Sequence, residues 1–430
     1  MKKNKFIKST IILIIGGFIT KMIGMLIKII TTRNLGSEGI GLYMLIMPTF
    51  SMFIALSQLG LPVAISKLVA EEKRNNKRIL SSSIPLSLLV NILIFIFISI
   101  LAPYLSNNLL HDNRTKLAII SIAFVLPFIS LSSIARGYFF GKQKMLPHVI
   151  SNITEDIVRL LILIIGIPIS LKKGIEYALS FIILSNIASE LTSILILYFF
   201  LPKNFVIRKE DIKIDKLNVK DLLSIGIPTT IGRFIGNIGY FFEPILITTI
   251  MLKLGFNNTY IVSEYGIISG YVMPLLTLPS FFTSAISQAL IPVVSKNYAN
   301  NNLKETKRKI KQALFFSLLI GIPATIIFIT IPEIPLKIIY NTNEGINYIR
   351  FLAPICLLLY IQSNLASSLQ AMGKAKDSLK GTTIGMITRL LGLFIFLNLK
   401  LKLWSLVFAQ SLSIILVTCF DAYKVKKYLK

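Results

Sequence analysis

Seven basic side chains, Lys21, Lys28, Arg136, Arg159, Arg233, Arg350 and Arg389, stand within or at the ends of long apolar runs, where an ionised group has no water to solvate it. Lys21, Arg159, Arg233 and Arg389 lie well inside their runs. A charge at the centre of a bilayer costs about 2.5–3.5 kcal/mol on insertion scales, so four of them facing lipid would cost on the order of 10–14 kcal/mol. They are therefore expected to face an interior cavity or paired acids. Lys28 and Arg136 stand nearer the ends of their runs, where a long side chain can snorkel to the headgroups. Such cations make and break no bonds. What they can supply is counter-charge for an anion leaving water.

Acids at that depth are fewer. Glu190 and Glu243 are placed to carry a proton or bind Na⁺, or else to neutralise a neighbouring cation, and Glu155 and Arg159 are spaced one helical turn apart to pair. At about 100° per residue, Gly17, Lys21, Gly24 and Lys28 share one face of the first run. Gly232, Gly236, Gly239 and Glu243 make an equivalent stripe on the seventh, with Arg233, Asn237 and Tyr240 beside it. Glycines alone read as tight helix packing, which does not account for the positive charges among them.

The elements that must hold these residues are transmembrane helices. The chain is 54% hydrophobic and 15% charged with mean hydropathy +0.74, so its main solvent is lipid. Apolar stretches long enough for a ~30 Å hydrocarbon core fall near 10–32, 40–66, 82–104, 117–139, 149–170 and 176–201, then near 221–252, 260–295, 312–331, 347–371, 379–397 and 401–423. The fold class is thus all-α, a polytopic membrane protein of about twelve spans. The N-terminal Lys2-Lys3-Asn4-Lys5 and following apolar run resemble a signal peptide, but no small-residue cleavage site follows, so this run is expected to remain as the first span. Kinks are expected at Pro274, Pro279 and Pro292 of the eighth, with the freed backbone groups satisfied inside the protein.

A net charge of +27 would suit nucleic acid only if gathered on one face; here the basic residues recur as short clusters between apolar runs, so no nucleic-acid partner is expected. Lys and Arg number 30 at the termini and in every second connection, against 9 in the alternate connections. The positive-inside rule then puts both termini in the cytoplasm of a multi-pass cell-membrane protein. The polar segment 202–220 reads as a cytoplasmic linker between a lobe of residues 1–201 and a lobe of residues 221–430.

Self-comparison supports two related halves. Ser57-Gln58-Leu59-Gly60-Leu61-Pro62-Val63 returns as Ser287-Gln288-Ala289-Leu290-Ile291-Pro292-Val293 at an offset of 230, and Ile157-Val158-Arg159-Leu160-Leu161 as Ile387-Thr388-Arg389-Leu390-Leu391 at 230. Gly141-Lys142-Gln143-Lys144 matches Gly373-Lys374-Ala375-Lys376 at 232, and Ile15-Gly16-Gly17-Phe18-Ile19 matches Ile231-Gly232-Arg233-Phe234-Ile235 at 216. The change of offset implies an insertion between Leu252 and Gly266. Six spans per half, an even number, make the repeats parallel. Cys356 and Cys419 lie far apart in apolar runs and read as packing residues; neither a metal nor a cofactor is expected, and no Walker loop or hydrolase triad marks an enzyme.

The run Leu35-Gly36-Ser37-Glu38-Gly39-Ile40-Gly41-Leu42-Tyr43, followed by Leu59-Gly60-Leu61-Pro62-Val63-Ala64-Ile65-Ser66-Lys67-Leu68-Val69-Ala70-Glu71, resembles the polysaccharide-transporter branch of the MOP exporter superfamily. It is most similar to the stage V sporulation protein B group, relatives of lipid II flippases. That resemblance implies two six-helix lobes, alternating access, and a polyprenyl-diphosphate-linked saccharide as cargo, for peptidoglycan, spore cortex or polysaccharide. It implies a headgroup role for basic residues of the first span. Lys21 matches one such position, and the next would fall at Ile27, with Lys28 adjacent. Many relatives carry two further C-terminal spans, so the lipid tail is expected to be held otherwise here. The candidate substrate-binding set is therefore Lys21, Lys28, Arg159, Arg233 and Arg389, with Glu190 and Glu243 for H⁺ or Na⁺. A multidrug antiporter of the same architecture is the alternative, and it would call for an acidic cavity.

Overall fold

A computed structural model describes residues 2–72, 75–202 and 216–429, with the side chains of residues 2–11, 14 and 216 outside that description. Lys73, Arg74 and most of the expected linker, 203–215, also lie outside it. The described residues are helical throughout, without a strand. They form two compact units, Met1–Phe241 and Phe242–Lys430.

The first unit contains α1 (Lys2–Ser57), α2 (Leu61–Glu71), α3 (Asn76–Tyr104), α4 (Lys116–Gly141), α5 (Met145–Leu171), α6 (Ile175–Phe199) and α7 (Lys216–Lys253) as far as Phe241. At 56 residues α1 would run roughly 84 Å if straight, more than two bilayer cores. Gly36 breaks it, with φ 67 and ψ −176, a conformation that costs glycine little and other residues much. α4 packs against α2, α3 and α6, and α5 against α1 and α6. A second glycine sets the end of α1: Gly60 has φ 59, and a Cβ there would lie 2.4 Å from the Gly226 carbonyl oxygen of α7. Leu222 of α7 is accordingly buried with Leu61, Ile65, Ile79, Phe139 and Leu197.

The second unit continues with α8 (Asn258–Gly266), a π-helical stretch Ile267–Val272, α9 (Met273–Leu276) and α10 (Ser280–Ala299). Beyond these lie α11 (Leu303–Thr330), α12 (Glu333–Tyr340), α13 (Ile346–Ala371), α14 (Ala375–Asn398) and α15 (Trp404–Tyr428). The eighth span bends by 53° where Pro279 interrupts it. The Tyr360 hydroxyl donates to the Leu276 carbonyl oxygen at 2.6 Å, supplying a partner inside the protein at the break. Cys356 is buried and Cys419 exposed, both free.

Among the described residues, nine helices are long and apolar enough to cross a membrane, besides the bent pair formed by Asn258–Leu276 and Ser280–Ala299. Dividing α1 at Gly36, counting the bent pair as one span and adding the charged 27-residue α5 brings the number to about twelve.

The halves repeat each other in detail. α4 against α6 corresponds to α13 against α15, α5 against α6 to α14 against α15, and α3 against α4 to α11 against α13. At the end of α4, Gln143 is left-handed at φ 54 and the Lys144 N–H donates to the Phe139 carbonyl; at the end of α13, Gly373 is left-handed at φ 74 and the Lys374 N–H donates to the Leu369 carbonyl. The cap thus repeats at an offset of 230, which corrects the 232 suggested by the Gly-Lys-x-Lys match. Backbone conformation outweighs residue likeness there.

Each half also buries a serine–asparagine cluster. In the first, Ser57 Oγ donates to Asn91 Oδ1 at 2.8 Å while Asn91 Nδ2 donates to the Ser87 carbonyl at 2.8 Å and to Ser130 Oγ at 3.1 Å. In the second, Ser287 Oγ donates to Asn364 Oδ1 at 2.8 Å and Asn364 Nδ2 to Ser317 Oγ at 2.6 Å. At offset 230, Asn91 corresponds to Gly321 and Asn364 to Ile134, so the amide has changed helix. The space vacated at Gly321 is taken by the Tyr360 ring, 2.6 Å from where a Cβ would stand.

Candidate functional site

Within the first unit a cavity of about 460 Å³ is lined by Thr20, Lys21 and Gly24 of α1, Arg136 of α4, and Asn152, Glu155 and Asp156 of α5. The helix faces explain why Lys21 reaches it. Gly16 is the packing glycine of α1, its would-be Cβ 2.3 Å from Val149 of α5, whereas Cβ atoms at Gly17 and Gly24 would meet nothing within 4 Å. The Gly17, Lys21, Gly24 face is therefore open, and the packing reading of those two glycines fails. Gly232 and Gly236, beside Arg233 on α7, are open in the same way.

Arg136 is the hub of the site. Its Nη2 donates to Glu155 Oε2 at 2.5 Å, to Glu190 Oε2 at 3.1 Å and to Ser193 Oγ at 2.9 Å. Arg159 Nη2 donates to the other Glu155 oxygen at 2.8 Å and lies 4.0 Å from Asp156 Oδ1. Helices α4, α5 and α6 are thus joined by a chain of ion pairs beside Lys21. Snorkelling, one expectation for Arg136, is not what this arginine does.

Of the residues selected from sequence, the structure brings Lys21, Arg159 and Glu190 to this neighbourhood, Arg159 through Glu155 and Glu190 through Arg136. Arg233 is exposed, and its Nη1 donates to the neutral Gln58 Oε1 at 2.8 Å. Lys28 is half-buried on α1; neither it nor Arg233 lines the cavity. In the second unit Arg389 Nε lies 2.5 Å from Glu243 Oε2, with the Tyr265 hydroxyl 3.5 Å from the other Glu243 oxygen. Both acids selected for ion coupling therefore sit in ion pairs with arginine.

Exposure differs among the charged groups: Glu155, Glu190 and Glu243 are 6%, 4% and 4% exposed, whereas Lys21 and Arg233 are exposed. Four residues of the site were missed: Arg136 as its centre, and Thr20, Asn152 and Asp156 on its wall. The one local signal was the Glu155–Arg159 spacing; the acids that hold Arg136 are 19 and 54 residues distant.

Comparison with known proteins agrees with this architecture. The family described as polysaccharide biosynthesis protein matches residues 6–298, and the MatE family matches 244–395. Stage V sporulation protein B of Bacillus subtilis is 36% identical, over 100% of this chain and 85% of its own length. Lipid II flippase MurJ of the same organism is 21% identical, over 90% of this chain and 76% of its own. An inward-facing multidrug resistance MATE family transporter of the MOP superfamily shares the fold, with a TM-score of 0.74 at 16% identity and 95% of both chains covered. A multi-pass helical chain with this repeat and this match over most of its length belongs to the polysaccharide biosynthesis protein family, and it shares the fold of MOP superfamily transporters.

Proposed function

We propose that this protein is a flippase that carries a polyprenyl-diphosphate-linked saccharide across the cell membrane by alternating access, as a carrier rather than an enzyme. The observation that carries the reading is the asymmetry of exposure: the deep carboxylates Glu155, Glu190 and Glu243 are buried beside arginines, while Lys21, on the cavity wall, and Arg233 are exposed. A diphosphate headgroup needs counter-charges of that kind when it leaves water. The open backbone at Gly17, Gly24, Gly232 and Gly236 gives such a headgroup room beside the two cations. A cationic drug, the cargo of the antiporter alternative, would meet a positive charge instead. The names of two relatives, a sporulation protein and a lipid II flippase, point the same way.

In this scheme Lys21 and Arg233 hold the diphosphate and Lys28 adds to the positive stripe on α1. Arg159 and Arg389 act through their carboxylates, and Glu190 and Glu243 couple transport to H⁺ or Na⁺ by releasing their arginines. Both termini and the 202–220 linker are cytoplasmic, between a lobe of residues 1–201 and one of residues 221–430. The test is flipping of a labelled polyprenyl-diphosphate disaccharide in vesicles. Lys21→Gln and Arg233→Gln should each lose most of the activity at normal abundance, and Lys21→Arg should keep part of it, because charge outweighs fork geometry for a diffuse anion. Wild-type rates in both glutamine variants would sink the reading.

A further inference from the structure

The second unit carries a cavity that the scheme above does not use. It lies beyond the C-terminal end of α11, opposite the lysine-rich start of that helix, and measures about 510 Å³, within the roughly 300–1,000 Å³ usual for small-molecule sites. Its wall combines Glu264 of α8, Glu333 at the start of α12, Asn347, Tyr348 and Arg350 in the first turns of α13, and Trp404, the first residue of α15.

These groups are held in place. The Tyr348 hydroxyl donates to Glu264 Oε2 at 2.6 Å, and Arg350 Nη2 to Glu333 Oε1 at 2.8 Å. Trp404 is braced by Tyr348, Phe351 and Phe408, with ring centroids 4.8, 5.6 and 5.8 Å away. The result is a fixed aromatic surface beside carboxylate, amide and guanidinium groups that retain spare acceptor and donor capacity. An anion is disfavoured, since two carboxylates face one arginine. A cation would find Glu333 already neutralised and only Glu264, itself engaged by the Tyr348 hydroxyl, to meet it.

We propose that this cavity binds a neutral saccharide. The C–H face of a pyranose ring packs on an aromatic surface, and its hydroxyls both donate to carboxylates and accept from amide and guanidinium N–H groups. A girdle of Trp and Tyr at the membrane edge would explain the rings but not the polar wall around them. The proposal rests on the reading above only in that it gives the sugar portion of the cargo a place to dock; binding here does not require translocation.

Trp404 is the single tryptophan of the chain, so its emission reports this cavity directly. Purified full-length protein would be titrated with cellobiose and with N,N′-diacetylchitobiose. A saturable change with either sugar is expected, weakened about tenfold by Asn347→Ala and by Glu264→Gln, the latter keeping an acceptor for Tyr348. No saturable response to either sugar overturns the proposal. So does quenching by brominated acyl chains alone, or a response to tetraethylammonium in place of sugar. Lys21-dependent flipping without a sugar response overturns this site alone, and a sugar response without Lys21-dependent flipping overturns only the flippase reading.

Discussion

Replacing Arg136 by methionine keeps most of its volume and removes the cation that pairs with Glu190 among the described residues. Glu155 would retain Arg159 at 2.8 Å, so the loss concentrates on Glu190, whose side chain is 6% exposed. Breaking a buried pair by removing one partner costs about 3–5 kcal/mol, because the other charge is left uncompensated. The Arg136 side chain is 18% exposed and borders the cavity, so water can reach the gap and the lower end, about 3 kcal/mol, is the expected value. Replacing both partners together is far less costly than orphaning one. Arg136→Met with Glu190→Gln should therefore be more stable than Arg136→Met alone, with a coupling of ~1–3 kcal/mol. Equilibrium unfolding in mixed micelles with increasing SDS, followed by far-ultraviolet circular dichroism, measures all four corners of the cycle. If Arg136→Met unfolds within about 0.5 kcal/mol of wild type, or if the second change only adds to the damage, the hub reasoning fails.

Gly321→Ala should cost about 1–3 kcal/mol by overpacking, since the new Cβ would meet Tyr360 at 2.6 Å; the same titration reads it. Gly60→Ala combines a left-handed backbone with a 2.4 Å approach to backbone that cannot yield, so folded protein should be largely lost from size-exclusion profiles. Gly24→Leu fills open space on the Lys21 face, so flipping should fall while the unfolding midpoint stays near wild type. Reporter fusions should put His111 outside and residue 210 in the cytoplasm, and an external residue 210 would reverse the orientation.

Hydropathy and spacing carried the fold far because lipid imposes one rule on every span, and helices that must satisfy their own backbones are legible one at a time. The proline break in the eighth span and the α1 division were within reach for the same reason: Pro279 and Gly36 act locally. Arg136 was not legible, because its environment is set by α5 and α6 rather than by its neighbours in sequence. The stripe on α1 was half legible. Periodicity put Gly17, Lys21 and Gly24 on one face, but only packing shows that Gly16 meets α5 and that the stripe faces open space. Residue likeness even misled at the end of α4, where a left-handed cap at Gln143 fixes the register.

The displaced amide in the buried serine clusters has a consequence for how the two halves can change. Converting one half to the other's pattern is a coupled exchange: Asn91 must give way to glycine, Ser130 to a tyrosine that fills the gap, and Ile134 to asparagine. Taken singly, loss of Asn91 removes the amide that ties Ser57 to Ser130 and leaves a void, while gain of asparagine at 134 adds a second amide with nothing vacated to receive it. The halves are thus two solutions to one packing problem separated by a valley, and a chain assembled from two copies of either half would inherit one solution twice rather than an average of both.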